Sequence, residues 1–253
     1  MAIPALGAGR FGAFWLSGMV LAGAFVPVAR FGPRGARAQF GVIAPVLLLV
    51  TALCTWSEAL IFLPGYRQHA ARDLTGSVVM YLIVSAGLAA LAWTLQLTRP
   101  PTAKVERHSG ATVLLMVLTC GAAYVIYYLV FGAITYRFFT RGYYPEATQI
   151  VARLGLWFWA IQAGRGLLMT LAVIPVIYTL PMKRWQAALA VGMLMWIAGG
   201  AAALLLPNDW METRQRFIHI AEIFTQNASL GITAVLLLRP KPAPLATSLP
   251  ARV

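Results

Sequence analysis

Seven runs of apolar residues, separated by short stretches rich in arginine, make up well over half of this chain: 11–29, 41–63, 77–97, 111–136, 155–180, 185–206 and 217–238. About 20 apolar residues carry a helix across the hydrocarbon core of a bilayer, where only helices and closed barrels satisfy every backbone polar group. The pattern therefore predicts an all-α fold, a polytopic transmembrane helical bundle of about seven helices, with residues 1–239 forming a single transmembrane domain. Proline and glycine punctuate the ends of the runs at Gly32-Pro33, Pro64-Gly65, Pro100-Pro101, Pro181 and Pro207, as turn chemistry requires. Pro240, Pro242 and Pro244 stop the last run and predict a disordered cytoplasmic tail over 240–253.

Finer spacing adds detail. Asp209 followed by Glu212 fits an N-cap with its capping-box partner ahead of the seventh span, and Trp210 suits an interface. Residues 145–154 mix Glu146, Gln149 and Arg153 with apolar positions and predict an interfacial helix leading into the fifth span. Gly18, Ala22 and Gly23, Ala86-Gly87 and Gly199-Gly200-Ala201 predict surfaces where helices approach closely. Pro45 and Pro175 fall inside spans and predict kinks.

Composition agrees. Hydrophobic residues make up 60% of the chain and charged ones 11%, against roughly 25% charged in a soluble domain, so the first partner is the lipid bilayer. A net charge of +13 would suggest nucleic acid in a soluble protein, but these basic residues lie in short loops, where they set topology; no nucleic-acid partner is expected. On the side of the N-terminus the loops hold eight arginines, on the other side eleven lysines and arginines. The excess favours an N-terminus outside and a C-terminus in the cytoplasm. A cleaved leader is the rival reading of residues 1–29, yet a 19-residue apolar region exceeds the usual 7–15, and an uncleaved first span is expected.

Polar residues inside the spans carry the candidate chemistry. Arg165 sits deep in the fifth span, where a charge costs about 2.5–3.5 kcal/mol on insertion scales and marks a functional site by default. Gln162 precedes it by three residues, on the same face, and Gly164 and Gly166 flank it. Glu58 lies in the second span with Thr51, Cys54 and Thr55, and Tyr124, Tyr127 and Tyr128 lie in the fourth. The seventh span bears Glu212, Gln215, His219, Glu222, Gln226, Ser229 and Thr233 at alternating intervals of three and four, one continuous polar stripe. The inferred topology puts Glu58, Arg165, His219 and Glu222 in the outer half of the bundle, and charge neutralisation predicts Arg165 between the two carboxylates. Glu58, Tyr128, Gln162, Arg165, His219, Glu222, Gln226 and Asn227 are the candidate binding residues or buried polar network.

Such a pocket suits a small polar or anionic solute, bound or translocated, with Arg165 as fixed positive charge and with proton coupling through His219 or a carboxyl. Two other readings stay open: a non-catalytic subunit of a larger membrane complex, in which the network only staples helices, and an intramembrane enzyme using His219 and Glu222 as acid and base. No cofactor is expected, since His69 and His108 lie in loops on opposite sides and leave His219 without a second buried histidine for a haem. Nor is a metal site, because the His219–Glu222 pair has no counterpart on another span. Cys54 and Cys120 lack paired spacing and read as buried thiols.

The stretch Tyr136–Leu238, with its aromatic loop Tyr136–Tyr144, then Arg165-Gly166-Leu167-Leu168, Ile174-Pro175-Val176, Leu206-Pro207-Asn208, Arg216, His219, Glu222 and Asn227, resembles the C-terminal half of a group of uncharacterised bacterial integral membrane proteins. The resemblance implies a bacterial inner membrane protein and carries no assigned activity.

Overall fold

A computed structural model describes residues 8–95, 105–208 and 211–240. Those residues are 86% helical, without strands, and seven helices are long and apolar enough to cross a membrane: α1 Gly9–Phe31, α2 Ala36–Phe62, α3 Ala70–Thr94, α4 Gly110–Thr140, α6 Leu156–Thr179, α7 Arg184–Leu204 and α8 Thr213–Leu238. A short helix, α5 (Ala147–Leu154), lies where an interfacial helix was expected and buries Ile150 against Ile61 and Phe158. Asp209 and Trp210, Pro100-Pro101 and the tail from 241 fall outside the described residues. The capping-box expectation fails on the described side: α8 starts at Thr213, with Glu212 itself in the capping position and making no side-chain cap. Just ahead of it, Met211 N–H donates to Asn208 Oδ1 at 2.9 Å.

The largest core cluster runs along the bundle, with Leu47, Val50, Met169, Val173, Val191 and Leu230 among its fully buried members. Van der Waals packing and interhelical hydrogen bonds hold such a bundle, because lipid removes most of the hydrophobic driving force between spans. Ser17 Oγ donates to Ala202 O at 2.7 Å (α1 to α7), Trp196 Nε1 to Ile220 O at 2.9 Å (α7 to α8), and Trp56 Nε1 to Ala70 O at 2.8 Å (α2 to α3), while the Tyr127 and Thr233 hydroxyls meet at 2.7 Å between α4 and α8. Arg216, counted above among outer loop charges, is buried and donates to Leu204 O and Leu206 O at 3.2 and 2.7 Å. It satisfies the open carbonyls at the end of α7.

Close helix contact is made by some, not all, of the small residues the sequence suggested. Gly18, Gly23 and Gly87 point outward into open space. Gly166 of α6 lies against Tyr124 and Gly121 of α4, and Gly231 of α8 against Gly192 of α7. Of the expected set, Gly199 and Gly200 are packed against Asn227 and Ile223, and Ala201 is buried beside them. A count of small residues cannot tell which face of a span meets protein and which meets lipid.

Gln39, fully buried, closes the hairpin between α1 and α2: its Nε2 donates to Pro33 O at 3.0 Å and Val28 O at 3.3 Å. Pro33 O, just past the end of α1, takes its donor from Gln39, while Val28 O also accepts from the Gly32 N–H at 2.7 Å. Gln39→Leu should therefore cost about 1–3 kcal/mol, the usual penalty for stranding buried acceptors, read as lowered thermal stability in detergent; a change below about 0.5 kcal/mol would show that the hairpin end is satisfied by water instead.

Four spans contain wide π-helical turns: Val46–Cys54 in α2, directly after Pro45, Tyr136–Thr140 in α4, Ile197–Ala201 in α7 and Phe224–Ala228 in α8. In α7 the turn includes Gly200 at φ +149°, a conformation that favours glycine, and the helix breaks there. Such turns insert an extra residue, rotate the face that follows, and recur at functional sites.

Candidate functional site

Residues from three of these wide turns, including Thr51, Tyr136 and Gly200, line a cavity of about 660 Å³ at the end of the bundle where α2, α4 and α7 finish and α6 and α8 begin. Its polar lining includes Glu58, His219 and Glu222. Aromatic side chains form part of its wall, with Trp56, Tyr81, Tyr128, Tyr144, Phe158 and Trp159 contributed by α2, α3, α4, the α4–α5 connection and α6.

Arg165 is buried at 4% exposure behind this wall and is not itself a lining residue. Its Nη2 lies 2.7 Å from Glu58 Oε2, and its Nη1 donates to Gln162 Oε1 at 2.7 Å, one helical turn back along α6. The Tyr128 hydroxyl donates to the other Glu58 oxygen at 3.2 Å. Tyr124 and Tyr128 present their rings 5.7 and 5.9 Å from the guanidinium carbon, within cation–π range. The Cys54 thiol points to Arg165 O at 3.9 Å, so this cysteine belongs to the packing around α6.

Glu222 is not an Arg165 partner, contrary to the expected arrangement. Its Oε2 meets His219 Nδ1 at 2.9 Å, and its Oε1 accepts from Gln226 Nε2 at 3.2 Å. A methyl group placed on Gly132 of α4 would sit 3.7 Å from that Oε1 and 3.9 Å from the Tyr128 ring. Glu222 thus leans on α4 at Gly132. The physical reason is proximity: Glu58 and Gln162 each engage one terminal nitrogen of Arg165, whose buried Nε has no partner among the described residues, and the i, i+3 and i, i+4 neighbours of Glu222 on α8 reach it without bringing two helices closer.

Asn227, also a candidate, is buried but turned to α7, where its Nδ2 donates to Gly199 O at 3.4 Å. The wide turn at Phe224–Ala228 buries Gln226, Asn227 and Ala228 together, so adjacent residues serve different contacts. The candidate residues divide into an Arg165–Glu58–Gln162–Tyr128 group and a His219–Glu222–Gln226 group, both reaching the same cavity, with Asn227 apart from them.

Trp56, Tyr81, Tyr144 and Trp159 were missed as site residues. A signal existed for two of them. Ser77 and Tyr81, four apart on an apolar helix, both line the cavity, and Tyr136, Thr140 and Tyr144 recur at intervals of four and do the same. Burial pushes the Tyr144 hydroxyl up to about 12, helped by the Glu58 and Glu222 charges and opposed by its bond to Gln215. It remains a neutral donor at the cavity rim at any physiological pH. Thr51 Oγ1 lines the cavity, buried and without a hydrogen-bond partner among the described residues.

Among the described residues no cluster of three or more His, Cys, Asp or Glu is arranged to hold a metal ion. Comparison of the chain with protein-family models, with curated proteins and with solved structures finds no match.

Proposed function

We propose that this multi-pass membrane protein binds a small organic cation, an amine with an apolar body, in the aromatic-walled cavity, and that a proton competes for the same carboxylate. The supporting observation is the way charge is distributed around the cavity. Arg165 is withdrawn behind the wall, where it pairs with Glu58 and Gln162, while two carboxylates and an imidazole line the cavity. An anionic solute would meet Glu58 and Glu222 without a free positive partner, so this reading replaces the anion expected from Arg165 alone. Aromatic faces attract an ammonium group, and about 660 Å³ lies within the range of small-molecule pockets. Glu222 is the charge left for the ligand, neutralised by His219 only when the imidazole carries a proton. The loop charges favour an orientation with the cavity on the outer side of a bacterial inner membrane.

Thermal stability of the purified protein in detergent tests this, with tetraalkylammonium ions and medium-chain amines set against matched carboxylates and alcohols. Amines should raise Tm and the others should not. Glu222→Gln and His219→Gln should both fold, the former weakening amine binding at least tenfold. Stabilisation by carboxylates, or amine binding untouched in Glu222→Gln, would sink the proposal.

A further inference from the structure

At the opposite end of the bundle, where α6 and α8 finish and α7 begins, arginines outnumber acids. Arg184 opens α7, and its Nη2 donates to Leu236 O in the last turn of α8. Arg239 follows α8 directly and is buried at 9% exposure. Its Nη1, like Arg184 Nε, is buried and has no hydrogen-bond partner among the described residues. Tyr178 of α6 donates to Leu238 O at 3.1 Å, and Arg107 lies 5.0 Å over the Tyr178 ring.

Two guanidiniums side by side, one of them buried, call for an anion. Burial and the Arg184 charge hold Arg239 below the ordinary arginine range, which means that its charged form lacks compensation here. Helix carbonyls account for one donor of Arg184 and for none of the orphaned nitrogens. The loops at this end contain a single acidic side chain, the exposed Glu106, and neither 96–104 nor 241–253 contains any. Trp185, 60% exposed beside Arg184, stands where an interfacial aromatic belongs, at the level of lipid headgroups.

We infer that Arg184 and Arg239 form a binding site for an anionic phosphate group, at the depth where the bilayer supplies phospholipid headgroups. Guanidinium forks bind phosphate oxygens in pairs, which an ammonium cannot match, and basic pockets at the cytoplasmic interface suit anionic lipids. The site is independent of the cavity at the other end.

The test uses the whole protein in detergent. Dioleoylphosphatidylglycerol should raise Tm more than dioleoylphosphatidylcholine, and native mass spectrometry should show it retained. Arg239→Gln should weaken that binding at least tenfold, with Arg239→Lys in between. Sodium phosphate against sodium chloride is the second arm: stabilisation by phosphate alone, with no further gain from lipid, would assign the same site to a soluble phosphate. Indifference of the wild-type protein to both phosphatidylglycerol and inorganic phosphate, which needs no variant to fold, would overturn the inference, as would wild-type lipid binding by Arg239→Gln.

Discussion

Replacing Arg165 by alanine is expected to cost about 3–5 kcal/mol, the usual penalty for removing one partner of a buried ion pair. The loss falls on what remains. Glu58, at 19% side-chain exposure, would keep only the Tyr128 hydroxyl as a donor, and Gln162 would lose its Nη1 contact in a site with no exposure at all. Because Arg165 lies on α6, Glu58 on α2 and Tyr128 on α4, the damage should spread over three spans. The control is a double replacement, Arg165→Met with Glu58→Leu, which removes both charges and should recover most of the stability, since apolar residues of similar volume often match or exceed a buried pair. Unfolding in detergent, followed by tryptophan fluorescence, measures both. A single variant within about 1 kcal/mol of wild type, small on the scale of a broken buried pair, would mean that the pair does not join the spans.

That pairing was half legible in the sequence. Charge at bilayer depth is so costly that Arg165 and Glu58 announced themselves from hydropathy alone, and the spans that hold them were bounded to within a few residues by the proline and glycine signals. What hydropathy cannot carry is rotation about each helix axis. Glu222 was expected to share Arg165, but its own neighbours His219 and Gln226 satisfy it within α8, an outcome that depends on which way α8 turns relative to α6. The wide turns compound this. A stripe drawn at 3.6 residues per turn assumes an unbroken helix, whereas Phe224–Ala228 slips the register and sends Asn227 to Gly199 while Gln226 stays with Glu222.

Aromatic residues show the same limit from another side. Tyr128 was found because it accompanies other tyrosines on α4, yet nothing in the spacing of Trp56 or Trp159 marks it as facing a cavity rather than lipid. They become site residues only when α2, α4, α6 and the α4–α5 connection converge on the cavity. Phe11, Phe138 and Trp157, equally aromatic, are exposed on the outside of the bundle. For an aromatic side chain in a membrane protein, composition therefore says little about lipid or ligand contact until the bundle is assembled.

Gly166 gives the second large expected effect, and it isolates the contact between α4 and α6 on which the Arg165 site rests. A Cβ added to Gly166 would lie 2.6 Å from Tyr124 Cβ and 3.1 Å from Gly121 Cα. Neither is the movable tip of a long side chain, so α4 itself would have to shift. The same shift would move Tyr124 and Tyr128, which hold Arg165 through their rings, and would loosen the Tyr128 bond to Glu58. Gly166→Val should therefore cost about 3 kcal/mol or more, the upper end for overpacking, and should weaken amine binding in whatever fraction still folds. Two residues earlier on the same helix, Gly164 has open space around its Cα, and Gly164→Val should change stability by no more than about 1 kcal/mol, the span of helix propensities for such a substitution. The pair separates close packing from any general need for glycine near Arg165: equal losses at both positions would point to backbone flexibility of α6, and a large loss at Gly166 alone to the α4–α6 contact.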